Sequence, residues 1–318
     1  MSRYLGAKLK VGRIGKPPRI QPGDLVGVAA PAGVVDEERL ATGVRVLEQW
    51  GFRVSLGASV LARQSYLAGD DEARLGDLQR MLDAPDIRAI FCARGGYGSQ
   101  RLVPRLDLST FTRHPKPVIG YSDATALISA ILEAGIVSVH GPMVAVDLAL
   151  GLSPRSGDHL RSLLMDPDYR WEAPVPVSVR PGRARGRLLG GCLSVLATVL
   201  GTPHAPDTDG AILFLEDVHE WPYRLDRLIT QLRQAGKLDR VAGVVFGTMA
   251  ACRSQDGIGA LEVVRACFAD AAFPVGFGLP AGHDPSSESI ENLALPLGVE
   301  VLLDTERGRL SALEPAVA

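Results

Sequence analysis

Short apolar runs alternate with stretches of helical periodicity through the first half of the chain. The first run covers residues 25–30 and a second covers 52–56. Between them, apolar positions recur at helical spacing from Leu40 to Leu47, behind Asp36 as a capping residue. Strand, helix and strand within about 35 residues is the spacing of a parallel βαβ crossover.

This alternation continues as far as residue 140. It predicts a doubly wound parallel α/β sheet, in which functional sites lie at the carboxyl ends of the strands. The further predicted helices are 70–84, 97–106 and 123–134, and the further predicted strands are 89–93, 117–120 and 137–140.

The periodicity lapses between residues 153 and 187, where prolines accumulate. We interpret 166–186 as a Pro- and Arg-rich linker. It would join an α/β domain at 19–165 to a second domain at 187–318, and about 100 to 200 residues per domain also favours two domains in 318 residues. A short basic run is more often a solvated surface than a site for a carboxylate or phosphate. The basic residues here are Arg180, Arg183, Arg185 and Arg187.

The second half is predicted to be rich in β-structure. Short apolar pieces separated by Gly and Pro end the chain, with a turn at 304–308. The predicted elements are a small-residue helix at 187–200, strands at 211–215 and 241–247, a helix at 223–235, and β pieces at 275–279, 293–297 and 299–303.

Charge and composition exclude some classes of function. With 34 Lys and Arg against 36 Asp and Glu, the net charge is −2, which disfavours non-specific binding to nucleic acid. Aromatic residues are only 5% of the chain, so few are available to stack bases. The composition, 46% hydrophobic and 22% charged, is typical of a folded protein.

The ends and the cysteines bear on location. Residues 1–18 are charged and have no apolar signal core, so we expect an extension outside the fold. The sequence contains no apolar run of about 18 residues, so we expect no membrane contact and a cytoplasmic protein. The four cysteines lie too far apart for a CxxC pair and are expected to be free thiols in a reducing compartment. They are Cys92, Cys192, Cys252 and Cys267.

The strongest local signal for chemistry is Gly-Tyr-Ser-Asp-Ala at 120–124, between a predicted strand and a predicted helix. Such a turn can hold Ser122 out of the sheet as a nucleophile, beside backbone N–H groups that stabilise negative charge. The usual pattern ends in Gly, whereas this chain has Ala124. The alternative is that Ser122 only caps the helix.

A glycine-rich turn, Arg-Gly-Gly-Tyr-Gly at 94–98, follows the predicted strand 89–93. Because it opens on the same edge of the sheet, its N–H groups could complete an oxyanion hole. It lacks the third glycine of a dinucleotide-binding fingerprint and the Gly-Lys of a P-loop. A purely structural turn is the alternative.

A nucleophilic serine needs a base and an acid that orients the base. His283 lies in a turn-rich loop after an apolar strand, and His140 is the rival candidate because it also ends a strand. Glu216 and Asp217 follow the strand 211–215, and strand alternation points them to opposite faces. The spacing of His, Cys and acidic residues suggests no metal site.

Together these segments resemble the LD-carboxypeptidase family of serine peptidases, which trim murein tetrapeptides and include the microcin C7 self-immunity proteins. The resemblance runs from about residue 24 to residue 304. Its carriers are Gly-Val-Ala-Ala-Pro-Ala-Gly at 27–33, the motifs at 94–98 and 120–123, His-Gly-Pro-Met at 140–143, Gly-Gly at 190–191, Leu-Glu-Asp at 215–217, Tyr-Arg-Leu-Asp-Arg at 223–227 and Gly-Leu-Pro-Ala-Gly-His at 278–283.

The resemblance implies a catalytic triad of Ser122, Glu216 and His283. It also implies a flavodoxin-like N-terminal domain, laid out like class I glutamine amidotransferases, a β-rich C-terminal domain and a homodimer. One departure is visible, because family members commonly read Gly-Gly-Asn where this chain has Cys192.

The implied reaction is hydrolysis of the bond between the L-centre of a diamino acid and a terminal D-Ala in a small muropeptide, without a cofactor or a metal. The oxyanion would be held by the backbone N–H groups of Asp123 and of Gly95 or Gly96. Substrate contacts are expected from Arg94, Tyr97 and Tyr121, and the linker arginines are further candidates for the D-Ala carboxylate.

Three other interpretations remain at this point. An esterase or lipase shares the chain order Ser, Glu, His, but Ala124 and the lack of an upstream HGGG-type loop weigh against it. An immunity-type amidase acting on a peptidyl or aminoacyl nucleotide would favour an aromatic clamp, for which few aromatic residues exist. A non-catalytic muropeptide-binding protein would not need all three triad positions.

Overall fold

The computed structural model describes residues 14–284 and 289–318. The strands are β1 (Leu25–Ala29), β2 (Arg53–Leu56), β3 (Ile87–Cys92), β4 (Val118–Gly120), β5 (Ser138–His140), β6 (Glu172–Pro174), β7 (Val177–Arg180), β8 (Arg183–Cys192), β9 (Ile212–Val218), β10 (Gly243–Ala250), β11 (Val275–Phe277), β12 (Leu295–Leu297), β13 (Glu300–Asp304) and β14 (Arg309–Ala312). The α-helices are α1 (Glu37–Gln49), α2 (Asp71–Asp83), α3 (Ser99–Leu102), α4 (Ser109–Arg113), α5 (Thr125–Glu133), α6 (Pro154–Met165), α7 (Leu193–Val199), α8 (Pro222–Gln234) and α9 (Ala260–Cys267). Short 3₁₀ turns lie at Val103–Arg105 and Ser122–Ala124, and a π-helical turn lies at Val144–Leu148.

The first sheet has six strands in the order β12-β5-β4-β3-β1-β2. Strands β1 to β5 are parallel, as the alternating pattern of the first half predicts. Asp36 and Asp70 cap α1 and α2 through side-chain hydrogen bonds to backbone N–H groups. The carboxyl ends of β3 and β4 therefore meet at one edge, which brings together the glycine-rich turn and the serine turn.

The second sheet has eight strands in the order β6-β14-β13-β8-β9-β10-β11-β7. Its centre, β8 to β11, is parallel, and its flanking strands are antiparallel. Helices α7, α8 and α9 lie in the same half of the chain. The chain is thus a mixed α/β protein in both halves, and the expectation of a merely β-rich second half was incomplete.

The last strand of the first sheet comes from the second half of the chain. Strand β12 pairs antiparallel with β5, with Leu295 opposite His140. Its neighbours in sequence, β11 and β13, belong to the second sheet. One hydrophobic cluster accordingly contains buried residues of both halves, such as Val139, Leu188 and Leu297.

The expected linker at 166–186 is largely strand. It holds β6 and β7 and the start of β8, all of which pair into the second sheet. Its arginines are engaged there, because Arg180 donates to the backbone oxygens of Ala269 and Ala271, and Arg187 donates to that of Gly298. Arg183 and Arg185 form ion pairs with Asp304 and Glu300. Proline is tolerated in edge strands, so the number of prolines in this segment did not exclude strands there.

The expected helix at 187–200 is wrong in its first half, where β8 extends to Cys192. Gly190 has a φ of 131°, and a Cβ there would lie 1.9 Å from the carbonyl oxygen of Phe214 on β9. Only glycine permits this approach of the two strands. The small residues therefore mark close strand packing.

Residues 14–18 belong to the fold, contrary to the expectation for the N-terminal extension. Ile14 is buried and Gly15 donates to the backbone oxygen of Gly135. This segment lies against residue 318, because the Ala318 N–H donates to the Pro17 oxygen at 2.9 Å. The remainder of the predicted extension, residues 1–13, lies outside the described residues.

The four cysteines are free, and Cys92, Cys192 and Cys252 are buried while Cys267 is partly buried. Burial raises the pKa of Cys92 to about 12. These thiols are thus held in the unreactive protonated form.

Candidate active site

Ser122 lies directly after β4, at the carboxyl edge of the first sheet. Its φ is 59°, in the left-handed region that costs a non-glycine residue about 1–2 kcal/mol. Helix α5 begins three residues later, after the 3₁₀ turn. Such strain at the junction of a strand and a helix is typical of a nucleophile elbow, and a simple helix cap does not require it.

The glycine-rich turn lies against this serine. A Cβ on Gly95 would lie 2.9 Å from the Cβ of Ser122, 3.0 Å from its Oγ and 3.4 Å from the backbone nitrogen of Asp123. The side chain of Asp123 fixes the turn, because its carboxylate accepts hydrogen bonds from the N–H groups of Gly98 and Ser99, at 3.2 and 2.8 Å. The two loops predicted to form an oxyanion hole are therefore adjacent.

A buried arginine supports the glycine-rich turn from behind. Arg74 on α2 donates to the backbone oxygen of Gly98 at 3.1 Å and to that of Pro31, and it pairs with Asp71. Its side chain is fully buried. The sequence patterns did not single out Arg74, which stands in an ordinary polar helix.

Glu216 and His283 form the central ion pair of the site. Glu216 on β9 is fully buried, and its Oε2 lies 2.7 Å from Nδ1 of His283. The backbone N–H of His283 donates to the same oxygen at 3.2 Å. This fixes both the ring and the loop that carries it, and it leaves Nε2 as the nitrogen that can take a proton.

The electrostatics of this pair favour a charged imidazolium beside a carboxylate. Burial acts to lower the pKa of His283, but the charge and hydrogen bond of Glu216 outweigh it, so the pKa lies above 6.5. Burial acts to raise the pKa of Glu216, but the charge and hydrogen bonds of His283 bring it below 4.5. The pair is thus suited to stabilise the proton that a serine would release.

Asp217 points away from this pair, as the alternation along β9 predicts. It accepts a hydrogen bond from the backbone N–H of Ser194 at 2.8 Å, and its Oδ1 lies 3.6 Å from Sγ of Cys192. Burial raises the pKa of Asp217 to about 6. The N–H of Cys192 donates to Oγ1 of Thr125 at 3.1 Å, so this position joins the second sheet to α5.

His140, the rival base, is fully buried. Burial lowers its pKa to about 4, so the ring is neutral at neutral pH. It packs edge-on against Phe214, with ring centroids 5.0 Å apart, and lies 5.6 Å from the ring of Tyr121. The structure therefore places His140 in the core beneath the site, whereas His283 is partly exposed.

The three residues expected to contact substrate differ in exposure. Arg94 is exposed and donates to the backbone oxygen of Val34 at 2.7 Å. Tyr97 is exposed, and its ring lies 6.0 Å from that of Tyr66, which sequence reasoning missed. Tyr121 is only 3% exposed, so its burial argues against direct contact with substrate.

Two further polar residues near the site were missed by sequence reasoning. Asp147 is buried in the π-helical turn, and Asn292 is buried just before β12. The signal for Asp147 was present, because it is a carboxylate within the apolar stretch 143–150. A buried carboxylate in such a stretch needs hydrogen-bond partners.

Taken together, the geometry fits nucleophilic acyl transfer, with a strained serine, adjacent N–H donors and a histidine oriented by a buried carboxylate. Among the described residues, no group of three or more His, Cys, Asp and Glu side chains could hold a metal ion. Within the same residues, no helix has the length and apolar character needed to cross a membrane.

Comparisons with known proteins cover most of the chain. Residues 26–141 match the LD-carboxypeptidase N-terminal domain and residues 185–303 match the LD-carboxypeptidase C-terminal domain. A putative carboxypeptidase of Streptomyces coelicolor is 42% identical over 95% of this chain and 97% of its own length. The murein tetrapeptide carboxypeptidase of Pseudomonas aeruginosa is 36% identical over 89% of this chain and 94% of its own. The crystal structure of muramoyltetrapeptide carboxypeptidase from Oxalobacter formigenes superposes with a TM-score of 0.81 at 29% identity, covering 90% of this chain and 97% of that one.

Proposed function

Because the chain belongs to the LD-carboxypeptidase family, we propose that it is a serine peptidase that releases the terminal D-Ala of murein tetrapeptides. The observation that carries the proposal is the Glu216–His283 pair on the second sheet, whose histidine ring lies 4.8 Å from the ring of Tyr121, the residue before Ser122 on the first sheet. The name of the Pseudomonas relative supports the choice of substrate.

The reaction begins when Nε2 of His283 takes the proton of the Ser122 hydroxyl. Glu216 holds the ring through Nδ1 and stabilises the imidazolium. The serine oxygen attacks the carbonyl at the L-centre, and the oxyanion forms beside the N–H groups of Asp123 and of Gly95 or Gly96. Each such donor is worth about 3–4 kcal/mol in the transition state.

His283 then protonates the leaving amine, so that D-Ala departs and an acyl-enzyme remains. Water, deprotonated by the same histidine, hydrolyses this ester and restores Ser122. Arg94 is the exposed cation at this edge of the sheet, and we assign to it the carboxylate of D-Ala. The linker arginines are engaged in the second sheet and are not needed.

Further features of the proposal concern architecture and setting. Strands β2-β1-β3-β4-β5 have the order of flavodoxin-like sheets, and we propose that the first half is such a domain with an added antiparallel strand. Free, buried thiols fit a reducing cytoplasm. We expect a homodimer, which light scattering of the purified protein tests.

The test of function is release of free D-Ala from a murein tetrapeptide, followed with D-amino-acid oxidase. We expect release by the wild type and at least a 10³-fold lower rate for Ser122→Ala. Arg94→Gln should raise KM with a smaller effect on kcat. No release by the folded wild type, or equal release by Ser122→Ala, contradicts the proposal.

A further inference from the structure

A buried carboxylate outside the triad links the two loops that must meet for catalysis. Asp147 is 1% exposed and accepts three hydrogen bonds. They come from the backbone N–H of Met143 at 2.8 Å, from Nδ2 of Asn292 at 3.0 Å and from the Tyr121 hydroxyl at 3.3 Å. Burial raises the pKa of Asp147 above its usual range, and these three donors oppose that rise by stabilising the ionised carboxylate.

Each of the two side-chain donors belongs to a catalytic loop. Tyr121 immediately precedes Ser122, and its ring lies edge-on to that of His283, with centroids 4.8 Å apart. The side-chain oxygen Oδ1 of Asn292 accepts a hydrogen bond from the backbone N–H of Gly282, the residue before His283, at 2.9 Å. The backbone N–H of Asn292 is in turn held by Ser156 Oγ at 3.1 Å.

The result is a continuous hydrogen-bonded path from the serine turn to the histidine loop. It runs from Tyr121 through Asp147 and Asn292 to Gly282, all within the protein interior. Glu216 separately orients the histidine ring through Nδ1. The loop of His283 is therefore fixed at two places, of which the triad accounts for one.

We propose that Asp147 and Asn292 are positioning residues that hold His283 in line with Ser122. This inference rests on the proposed function for its reaction, although the bridge itself concerns only the serine and its base. A displacement of about 1 Å between such groups lowers a rate by about 100-fold. The bridge should therefore act on kcat and on the reactivity of Ser122, with little effect on KM.

The negative charge of Asp147 also affects the pKa of His283, separately from its place in the hydrogen-bonded path. Burial acts to lower the pKa of His283, and the charges of Glu216, Asp217 and Asp147 raise it. The ionisable groups around the ring are Glu216 on β9, His140 on β5, Tyr121 of the elbow, Asp147 and Asp284, while Asp217 acts on it from the other face of β9. Removing the charge of Asp147 should lower the pKa of His283 and move the acid limb of kcat/KM to lower pH.

Two variants separate geometry from charge. Asp147→Asn should lower kcat about 10- to 100-fold and move the acid limb to lower pH. Asn292→Ala breaks the same path but keeps the charge, so it should lower kcat by a similar factor with the limb unmoved. If the path is one unit, the double variant should lose little more than either single variant.

The matched control is Asp77→Asn. Asp77 is also a buried aspartate, accepting hydrogen bonds from the backbone N–H and the hydroxyl of Ser59, both at 2.6 Å, but it lies outside the site. The Asp77→Asn variant should have a lower free energy of unfolding, while its kcat/KM should depend on pH as that of the wild type does. Tyr121→Phe, which keeps the ring and removes only the hydroxyl, provides a milder variant if Asp147→Asn does not fold.

A second readout keeps this inference distinguishable from the proposed function. Phosphorylation of Ser122 by diisopropyl fluorophosphate, in which the serine oxygen displaces fluoride, needs the serine and its base but no peptide. If the wild type is labelled but releases no D-Ala, the proposed substrate fails, and slower labelling of Asp147→Asn still supports the bridge. The proposed bridge is overturned if folded Asp147→Asn and Asn292→Ala both keep a labelling rate and a kcat within twofold of the wild type. It is also overturned if the wild type is neither labelled nor active.

Discussion

Replacing Glu216 by glutamine removes one charge from the site while preserving the shape of the side chain. The carboxylate Oε2 now accepts two hydrogen bonds, from Nδ1–H of His283 and from the backbone N–H of that residue. A glutamine can place its oxygen there only by burying its NH₂ group at the position of Oε1, which is buried and has no hydrogen-bond partner among the described residues. Leaving such a donor unpaired costs about 1–3 kcal/mol.

The opposite orientation of the glutamine is worse for catalysis. Its NH₂ group would donate to Nδ1 of His283, which forces the proton of the ring onto Nε2. A ring in that tautomer cannot accept the proton of Ser122. The neutral amide also fails to stabilise the imidazolium, so both orientations weaken the base.

We therefore expect Glu216→Gln to lower kcat/KM for D-Ala release about 10³- to 10⁴-fold, which is about 4–5.5 kcal/mol of transition-state stabilisation. The pKa of His283 should fall, because the charge and hydrogen bond of Glu216 are what hold it above 6.5. The variant rate should thus reach its plateau at lower pH than that of the wild type.

The assay is D-Ala release against pH, with circular dichroism and urea unfolding to show that the variant is folded. Glu314→Gln is the matched control, since Glu314 also pairs with a cation, Lys16 at 2.8 Å, but lies near the end of the chain. A folded Glu216→Gln variant that keeps more than a tenth of the wild-type kcat/KM refutes the assignment of Glu216.

Other predictions follow from the same geometry. Because Ser122 has a φ of 59°, Ser122→Gly should be more stable to urea than Ser122→Ala, by about 1 kcal/mol, and equal stabilities would argue against strain. Arg74→Lys should lower kcat more than it raises KM, because one ammonium group cannot both bridge the Pro31 and Gly98 oxygens, as Nη1 does, and pair with Asp71, as Nη2 does; a wild-type rate would exclude that support role. Wild-type kcat/KM should rise with pH through the pKa of His283, which lies above 6.5. The folding stability that this histidine adds is complete below pH 6.5 and is lost as the pH rises through that pKa. Urea unfolding of the wild type and of His283→Gln at several pH values checks the sign. Iodoacetamide should label Cys267 first in the native protein, since the other thiols are buried, and mass spectrometry after digestion would show any other order.

The sequence predicted the first sheet well because its signals are local. Strands β1, β3 and β4 are short apolar runs, and helices α1 and α2 start at recognisable capping residues, Asp36 and Asp70. The serine turn was identifiable for the same reason, since strand, turn and helix are contiguous in sequence. Choosing His283 over His140 and Glu216 over Asp217 required the family resemblance. Strand alternation places Glu216 and Asp217 on opposite faces without saying which face holds the site, and both histidines follow an apolar strand.

The errors arose where distant segments pair. The prolines of 166–186 looked like a linker, but Pro174 lies in an edge strand, Pro176 and Pro181 flank another, and strands from the far end of the chain pair with both. Gly190 looked like part of a helix of small residues. Glycine is required there because the backbone of Phe214 lies too close for a Cβ, and a sequence pattern does not reveal that distant contact. Arg74 and Asn292 were missed since their partners are backbone groups and a carboxylate far away in sequence.

Strand β12 has a consequence for how the protein is made. The edge of the first sheet is completed only by residues 295–297, so this sheet must wait for a segment translated after most of the second sheet. Domains emerge and fold from the N-terminus at about 5–20 residues per second. The nucleophile is translated long before its base, and the insertion of β12 brings the histidine loop into place last. Until the segment that carries His283 and β12 has left the ribosome, the serine has no base, so a shorter nascent chain cannot hydrolyse peptides.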